Sequence, residues 1–312
     1  MNAMSSSRPT HFRGRWVEPG HPEYESARLV FNRRADPWPA VIARCAGVAD
    51  VVAAIAVARE RGLEINVRCT GYTFGGLTAG NGIVIDLSLM RGVQVLPDQR
   101  VARIQGGVRG GDLQIEAAVH GLGAVTGLLS GVGAGMMLGG GIGHLAPRVG
   151  FASDNILSVE LVTAAGEVVT ASPSCNSDLF WAVRGSTGNF GVVTALEVRL
   201  HEVPPFVHGG SMSWSFDTIG GGIEALRSAW EWGPDELSLI GVLSSTSSDD
   251  PGGLTLYVCH SGPAEQARAD LERLRSFGAP DRDNVSAIPF RDLHFLFDDV
   301  YGPTRGRWTS SP

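Results

Sequence analysis

Between Gly121 and Gly143 the chain reads GLGAVTGLLSGVGAGMMLGGGIG, ten glycines in 23 residues. The surrounding stretch 117–147 holds no Asp, Glu, Lys or Arg. Glycine at this density lets backbone come very close to something large and supplies positive φ where it is needed. The guests that fit are a membrane, a nucleotide or a flavin. The run is long enough to span a bilayer, and Gly135 and Gly139 form a GxxxG. Glycine is nevertheless a poor helix former, and no Lys/Arg cluster or Trp/Tyr pair brackets the run. The sequence therefore reads as a buried, backbone-packed element, with no membrane as partner. Gly131, Gly133 and Gly135 give G-x-G-x-G, not G-x-G-x-x-G, and no β-branched strand leads into them. A dinucleotide fingerprint is a weak match.

The chain has 312 residues, enough for two domains and a sizeable core. Its formal charge is −7 and no stretch is rich in Lys or Arg, so the electrostatic footprint of a nucleic-acid binder is missing. Cys45, Cys69, Cys175 and Cys259 lie far apart, without metal-ligand or CxxC spacing. No metal is expected, and a reduced, cytoplasmic thiol set is. The N-terminus lacks the apolar core of a signal peptide.

Residues 1–15 read as a disordered tail. A helix is expected over Val48–Arg61, with Val51, Val52, Ile55 and Ala58 on one face and Gly62 closing it. Strands are expected at Leu63–Arg68, Gly82–Leu87, Val101–Gly106 and Gly191–Leu200, and helices at Asp112–His120 and Asp178–Val183. Ile156–Ala164 and Glu167–Ala171 alternate around Ala165-Gly166 as in a hairpin. Pro204-Pro205 marks a domain boundary. Beyond it, Ile219, Ile223, Leu226 and Trp230 sit at helical spacing, Leu254–Cys259 is strand-like, and Pro263 opens a second helix. A sheet that has just begun should not stop at Thr309-Ser310. Either the chain is cut short or a partner completes it.

Arg68-Cys69-Thr70-Gly71-Tyr72-Thr73-Phe74-Gly75-Gly76 directly follows a strand. Such a loop can turn several N–H groups toward one anion, with Arg68 adding a positive charge. The competing reading is a glycine-rich turn with a structural arginine. The wider pattern separates them. In order come Gly82-Ile83-Val84-Ile85-Asp86-Leu87-Ser88, Gln105-Gly106-Gly107, Leu138-Gly139-Gly140-Gly141-Ile142-Gly143, Asp154-Asn155, Leu161-Val162-Thr163-Ala164, Asp178-Leu179-Phe180-Trp181-Ala182, Arg184-Gly185 and Gly188-Asn189-Phe190-Gly191-Val192-Val193-Thr194. This series resembles the berberine-bridge-enzyme-like FAD-linked oxidases of the vanillyl-alcohol-oxidase group.

The resemblance implies an α+β chain. A PCMH-type FAD-binding domain of two α/β subdomains (16–204) is followed by an incomplete sheet-plus-helix substrate domain (205–312). It implies FAD as cofactor, with Arg68, Cys69, Thr70, Gly71, Tyr72 and Thr73 at the diphosphate. Leu128, Ser130, Gly131, Gly133, Gly135, Gly139, Gly140 and Gly143 would lie along the flavin and diphosphate. Asn155, with Asp154, would cap a turn or hold the loop against the cofactor, and Val193 would sit near the adenine. The implied chemistry is hydride removal from a small organic substrate (an alcohol, a sugar or a natural-product intermediate of secondary metabolism) to the flavin, with O₂ as acceptor. No catalytic base can be named from these residues.

Ser186-Thr187 and Val132 stand where the family commonly has glycines, and Met136 and Met137 replace residues near the ring. Both tethering positions also depart from the family pattern. Tyr72 stands where a histidine commonly tethers the flavin, and Leu128 where many members carry a second tethering cysteine. A noncovalent FAD follows. The rival expectation is a truncated or degenerate flavin fold without redox turnover, or a subunit completed by another chain; the partners expected are a small-molecule substrate and a homo-oligomer or such a completing chain. Among single residues, Arg184 reads as the partner of a carboxylate, and His144 as a satisfied core or surface histidine. Trp214, Trp230 and Trp232 read as core.

Overall fold

The computed structural model describes residues 8–33, 35–73, 80–186, 188–244, 252–296 and 298. The first layer comprises β1 (Arg15–Val17), α1 (Tyr24–Arg28), β2 (Val41–Arg44), α2 (Val48–Arg61), β3 (Ile65–Arg68) and β4 (Ile83–Asp86). The sheet order is β1-β2-β4-β3, with β2, β4 and β3 mutually parallel. Central parallel strands are covered on both faces and read as unbroken apolar runs; Ile83, Val84 and Ile85 are all buried. Helix α2 lays Val51, Ala54, Ile55 and Ala58 on this sheet. It ends where Gly62 turns left-handed (φ +63°) and donates its N–H to Ala58 and Arg59.

The expected tail gives way here. Phe12 is buried in the same core, and the Arg13 and Gly14 N–H groups donate to the Asp50 carboxylate at 2.8 and 3.0 Å. Residues 8–15 are thus tied down by one buried apolar ring and one buried acceptor.

The second layer runs through β5 (Val93–Leu96), β6 (Val101–Gln105), α3 (Gly110–Ala118), β7 (Leu122–Gly123), α4 (Ala134–Leu138), α5 (Ala146–Val149), β8 (Ile156–Val162), β9 (Val168–Ala171), α6 (Ser177–Val183), β10 (Val192–Arg199) and β11 (His201–Glu202). Its antiparallel sheet has the order β5-β6-β10-β8-β9. The β8–β9 hairpin turns at Gly166, φ +87°. The glycine run is not one helix: it passes through β7, an extended stretch and the five-residue α4. Among the described residues no helix is long and apolar enough to cross a membrane.

The third layer is β12 (Phe206–Trp214), α7 (Ile219–Trp232), β13 (Leu237–Ser244), β14 (Gly253–His260), α8 (Ala264–Ser276), β15 (Arg282–Asp283), β16 (Ser286–Pro289) and α9 (Phe290–Leu293). Strand alternation splits its two faces. Leu254, Leu256 and Val258 of β14 pack under α7 and α8, while Tyr257 and Cys259 join the core of the second layer.

Helix α7 corrects one expectation. Its buried stripe is Gly222, Ala225, Ser228 and Ala229, whereas Ile223 is 52% and Trp230 94% exposed. Gly222 is obligatory there, because a Cβ would meet the Trp214 ring at 2.7 Å. The large apolar side chains at helical spacing thus point partly outward while small ones let the helix sit close. Trp230→Ser should therefore move the unfolding free energy by less than about 0.5 kcal/mol in urea titrations. A larger loss would show that Trp230 is covered in solution. Trp214 is buried and Trp232 half-buried, as expected. Arg184 pairs with no carboxylate among the described residues; its guanidinium stacks on Phe180, 4.5 Å from the ring centre.

Candidate functional site: a cofactor cradle between a loop and a glycine run

Parallel register places three charged residues side by side at the carboxyl ends of the first sheet. Arg44 lies opposite Asp86 and Asp86 opposite Arg68. The buried Arg68 donates from Nη2 to Asp86 Oδ2 at 2.7 Å, and Ser88 N–H donates to Asp86 Oδ1 at 2.8 Å. Arg44 Nε lies 3.5 Å from Asp86, and its Nη2 donates to Ser88 Oγ. The positive charge assigned to Arg68 from sequence is therefore matched by Asp86, and the trio keeps one net positive charge. It borders a cavity of about 210 Å³ that also reaches Ser26, Cys69 and Thr70.

From Arg68 the chain enters the loop. Gly71 sits at φ +78°, and its carbonyl accepts the Phe31 N–H at 2.9 Å. Tyr72 stacks on Phe31 with ring centres 4.5 Å apart. Thr73 is half-buried, and Phe74, Gly75 and Gly76 fall outside the described residues. The loop presses on the glycine run. A Cβ on Gly131 would lie 2.5 Å from the Tyr72 ring, and one on Gly133 would lie 2.6 Å from Cys69 Sγ and from Thr70. A Cβ on Gly143 would lie 2.0 Å from the Thr126 carbonyl. Side chains at these positions are excluded by packing. Gly135 and Gly140 differ: a Cβ would meet only Cys69, at 3.9 Å, in the first case and nothing within 4 Å in the second. Gly139 is exposed and closes α4 by donating to Gly135 and Met136. The run thus has an inner edge that grips the loop and an outer edge of open backbone.

Leu128 and Ser130 are half-buried on this run. The Ser130 N–H donates to Asp298 Oδ1 at 3.0 Å, and Ser130 Oγ donates to Oδ2. Asp298 was beyond sequence reading, for it lies 168 residues away. Burial, reinforced by the Asp298 charge, raises the Tyr72 phenol above its ordinary value. Burial likewise pushes the Cys69 thiol up, so it is a poor thiolate.

Val193 is half-buried in β10, beside the point where a Cβ on Gly106 would strike its carbonyl. The Asn155 side chain caps the preceding turn. Its Nδ2 donates to the Val149 and Phe151 carbonyls, and its Oδ1 lies 2.7 Å from His201 Nε2. It ties the end of α5 to β11.

His144 is buried, yet its Nε2 has no hydrogen-bond partner among the described residues, so it is not the satisfied core histidine expected. It meets His294 edge-to-face, ring centres 5.3 Å apart, and His294 Nε2 lies 3.3 Å from the Gln114 amide. Burial and the neighbouring His294 hold His144 well below the usual imidazole range, and burial takes His294 down to about 4. Both rings are neutral at neutral pH.

A family model described as an FAD binding domain matches residues 39–172, which include the loop and the whole glycine run. (R)-6-Hydroxynicotine oxidase of Paenarthrobacter nicotinovorans is 38% identical over 94% of this chain and 64% of its own length. The uncharacterized FAD-linked oxidoreductase YvdP of Bacillus subtilis is 30% identical over 95% of this chain and 67% of its own. The chain belongs to the berberine-bridge-enzyme-like FAD-linked oxidases. In structure, 6-hydroxy-D-nicotine oxidase from Arthrobacter nicotinovorans superposes with a TM-score of 0.87 at 36% identity, over 94% of this chain and 65% of that one. The Physcomitrella patens berberine-bridge-enzyme-like protein 1 superposes at 0.78 with 26% identity, over 89% and 60%. The chain spans about two thirds of the length of these relatives.

The residues present fit the family's FAD. The open backbone at Gly135, beside Cys69 of the loop, and at Gly140 leaves space that a side chain would fill. Main-chain N–H groups there suit a diphosphate.

Proposed function

We propose that this chain forms the flavin half and part of the substrate half of an oxidase that removes hydride from a small organic molecule, with O₂ as acceptor. FAD, once bound, supplies the hydride acceptor; the protein binds, orients and shields it. The observation that carries the reading is the contact of the 68–73 loop with Gly131 and Gly133, beside the open backbone at Gly135 and Gly140. The substrate class we favour is a compound whose reacting C–H bears a heteroatom: an alcohol, a sugar or a natural-product intermediate. Relatives named for 6-hydroxynicotine and for xylooligosaccharides span that chemistry.

We infer further that the FAD is held without a covalent bond. Tyr72 offers no imidazole, Leu128 no thiol, and the Cys69 thiol is held protonated by burial. Purified protein loaded with FAD should be yellow, and acid precipitation should release all of the flavin into the supernatant. Flavin retained in the pellet would refute the noncovalent reading, and a chain that stays colourless with added FAD would refute the oxidase reading.

A second reading, FAD bound without turnover, is favoured by one observation. The carboxylate beside the run is already engaged, for Asp298 holds Ser130 by its N–H and hydroxyl. Bleaching of bound flavin under anaerobic substrate screening would reject it.

A further inference from the structure

Among the described residues, the segment from Phe290 to Asp298 reaches from the third layer to the glycine run and to the adjoining helix α3. Phe290 packs where a Cβ on Gly123 would fall, 2.7 Å away, and Phe295 stands 2.9 Å from the equivalent point on Gly111. His294 lies against Gln114 and His144. Asp298 grips Ser130 by both its N–H and its hydroxyl. The first three contacts are apolar or neutral packing. The last is a carboxylate brought to the stretch where Gly131 and Gly133 face the loop.

The backbone at Ser130 lies outside helix and strand. Its carbonyl accepts the Gly111 N–H at 3.0 Å, and its N–H has Asp298 as acceptor. Without Asp298 that half-buried N–H loses its acceptor, and one of the two backbone hydrogen bonds of Ser130 is gone. The next residue, Gly131, is the one that touches the Tyr72 ring. The same carboxylate acts on the Tyr72 phenol, so its charge is felt at the ring.

We propose that Asp298 is a positioning residue for the cofactor: from the segment that follows the third layer it fastens Ser130 by its N–H and hydroxyl, next to the Gly131 that touches Tyr72, and makes FAD affinity and redox potential depend on a carboxylate outside the FAD-binding domain. The proposal rests on the FAD reading of the cradle given above. Its electrostatic sense is fixed. A negative charge near the cofactor opposes the gain of electrons, so Asp298 lowers the midpoint potential.

The test compares wild type, Asp298→Asn and Ser130→Ala as full chains. FAD affinity is read by flavin fluorescence titration, midpoint potential by dye-equilibrated redox titration, and stability by thermal melting. Asp298→Asn keeps the shape and removes the charge. It should weaken FAD binding about tenfold, the scale of one charge-assisted hydrogen bond, and raise the midpoint potential. Ser130→Ala keeps the N–H bond and the carboxylate, so its affinity loss should be smaller and its potential unchanged. A merely structural tie would lower the melting temperature and leave the potential in place, which would overturn the proposal. Wild-type affinity and potential in Asp298→Asn would overturn it as well. Wild type that takes up no FAD would bring down the cradle reading and this inference together, an outcome distinct from the other two.

Discussion

Asp86→Ala is expected to cost about 3–5 kcal/mol of unfolding free energy, the loss seen when one partner of a buried ion pair is removed. Asp86 is 2% exposed; it accepts from Arg68 and from the Ser88 N–H and forms an ion pair with Arg44. Its removal leaves the buried Arg68 guanidinium without the carboxylate that neutralises it, at the last position of β3. Arg68→Ala should be milder, because Asp86 keeps Arg44 and Ser88. Urea unfolding of the two variants checks the order. Equal losses, or a wild-type midpoint for Asp86→Ala, would show that solvent reaches the trio and screens it. The effect extends to the cradle, since Arg68 is also where the loop begins. FAD affinity should fall with stability in Asp86→Ala.

Acid should weaken the fold well above the pH at which carboxylates titrate. His294 titrates at about 4 in the folded chain, against an ordinary value of 6.5. The unfolded chain therefore binds a proton through a pH range in which the folded chain refuses it. Stability is complete above pH 6.5 and declines as pH falls, by about 1.4 kcal/mol per unit, down to about 4. The full loss from His294 is about 3 kcal/mol, and His144 adds to it in the same direction. Unfolding free energies measured at pH 7, 5.5 and 4.5 should trace this decline, and His294→Gln, which cannot take the proton, should flatten it. Curves that stay parallel for wild type and variant would place the acid sensitivity elsewhere.

How much of this was legible from sequence depends on the range of the interaction. Local signals held: α2 begins and ends at Val48 and Arg61 with Gly62 left-handed behind it, and the hairpin turns at Gly166. The glycine run was legible as close backbone packing because missing side chains leave a direct trace. What it packs against was not. Arg68 read as a free charge because its partner is set by the pairing of β3 with β4, 18 residues on. Asp298 and His294 carry no local signal, since their partners Ser130 and Gln114 are 168 and 180 residues away. Trp230 misled for another reason: periodicity weighs large apolar residues, while α7 packs through small ones. Asn155 shows that a motif residue can serve the scaffold of its site, here by bonding α5 to β11.

The division of β14 bears on how the molecule comes apart. Its two faces belong to different cores: Leu254, Leu256 and Val258 to that of the third layer, Tyr257 and Cys259 to that which also holds Leu113, Val125 and Leu161. Phe290 and Leu293 are members of the second core as well. A strand with a stake in both cannot leave one without baring the other. The chain beyond Pro205 is thus no appendage on an independent module. The two halves melt as one cooperative unit, and a protease that nicks the Pro204-Pro205 connection should find no stable fragment to release.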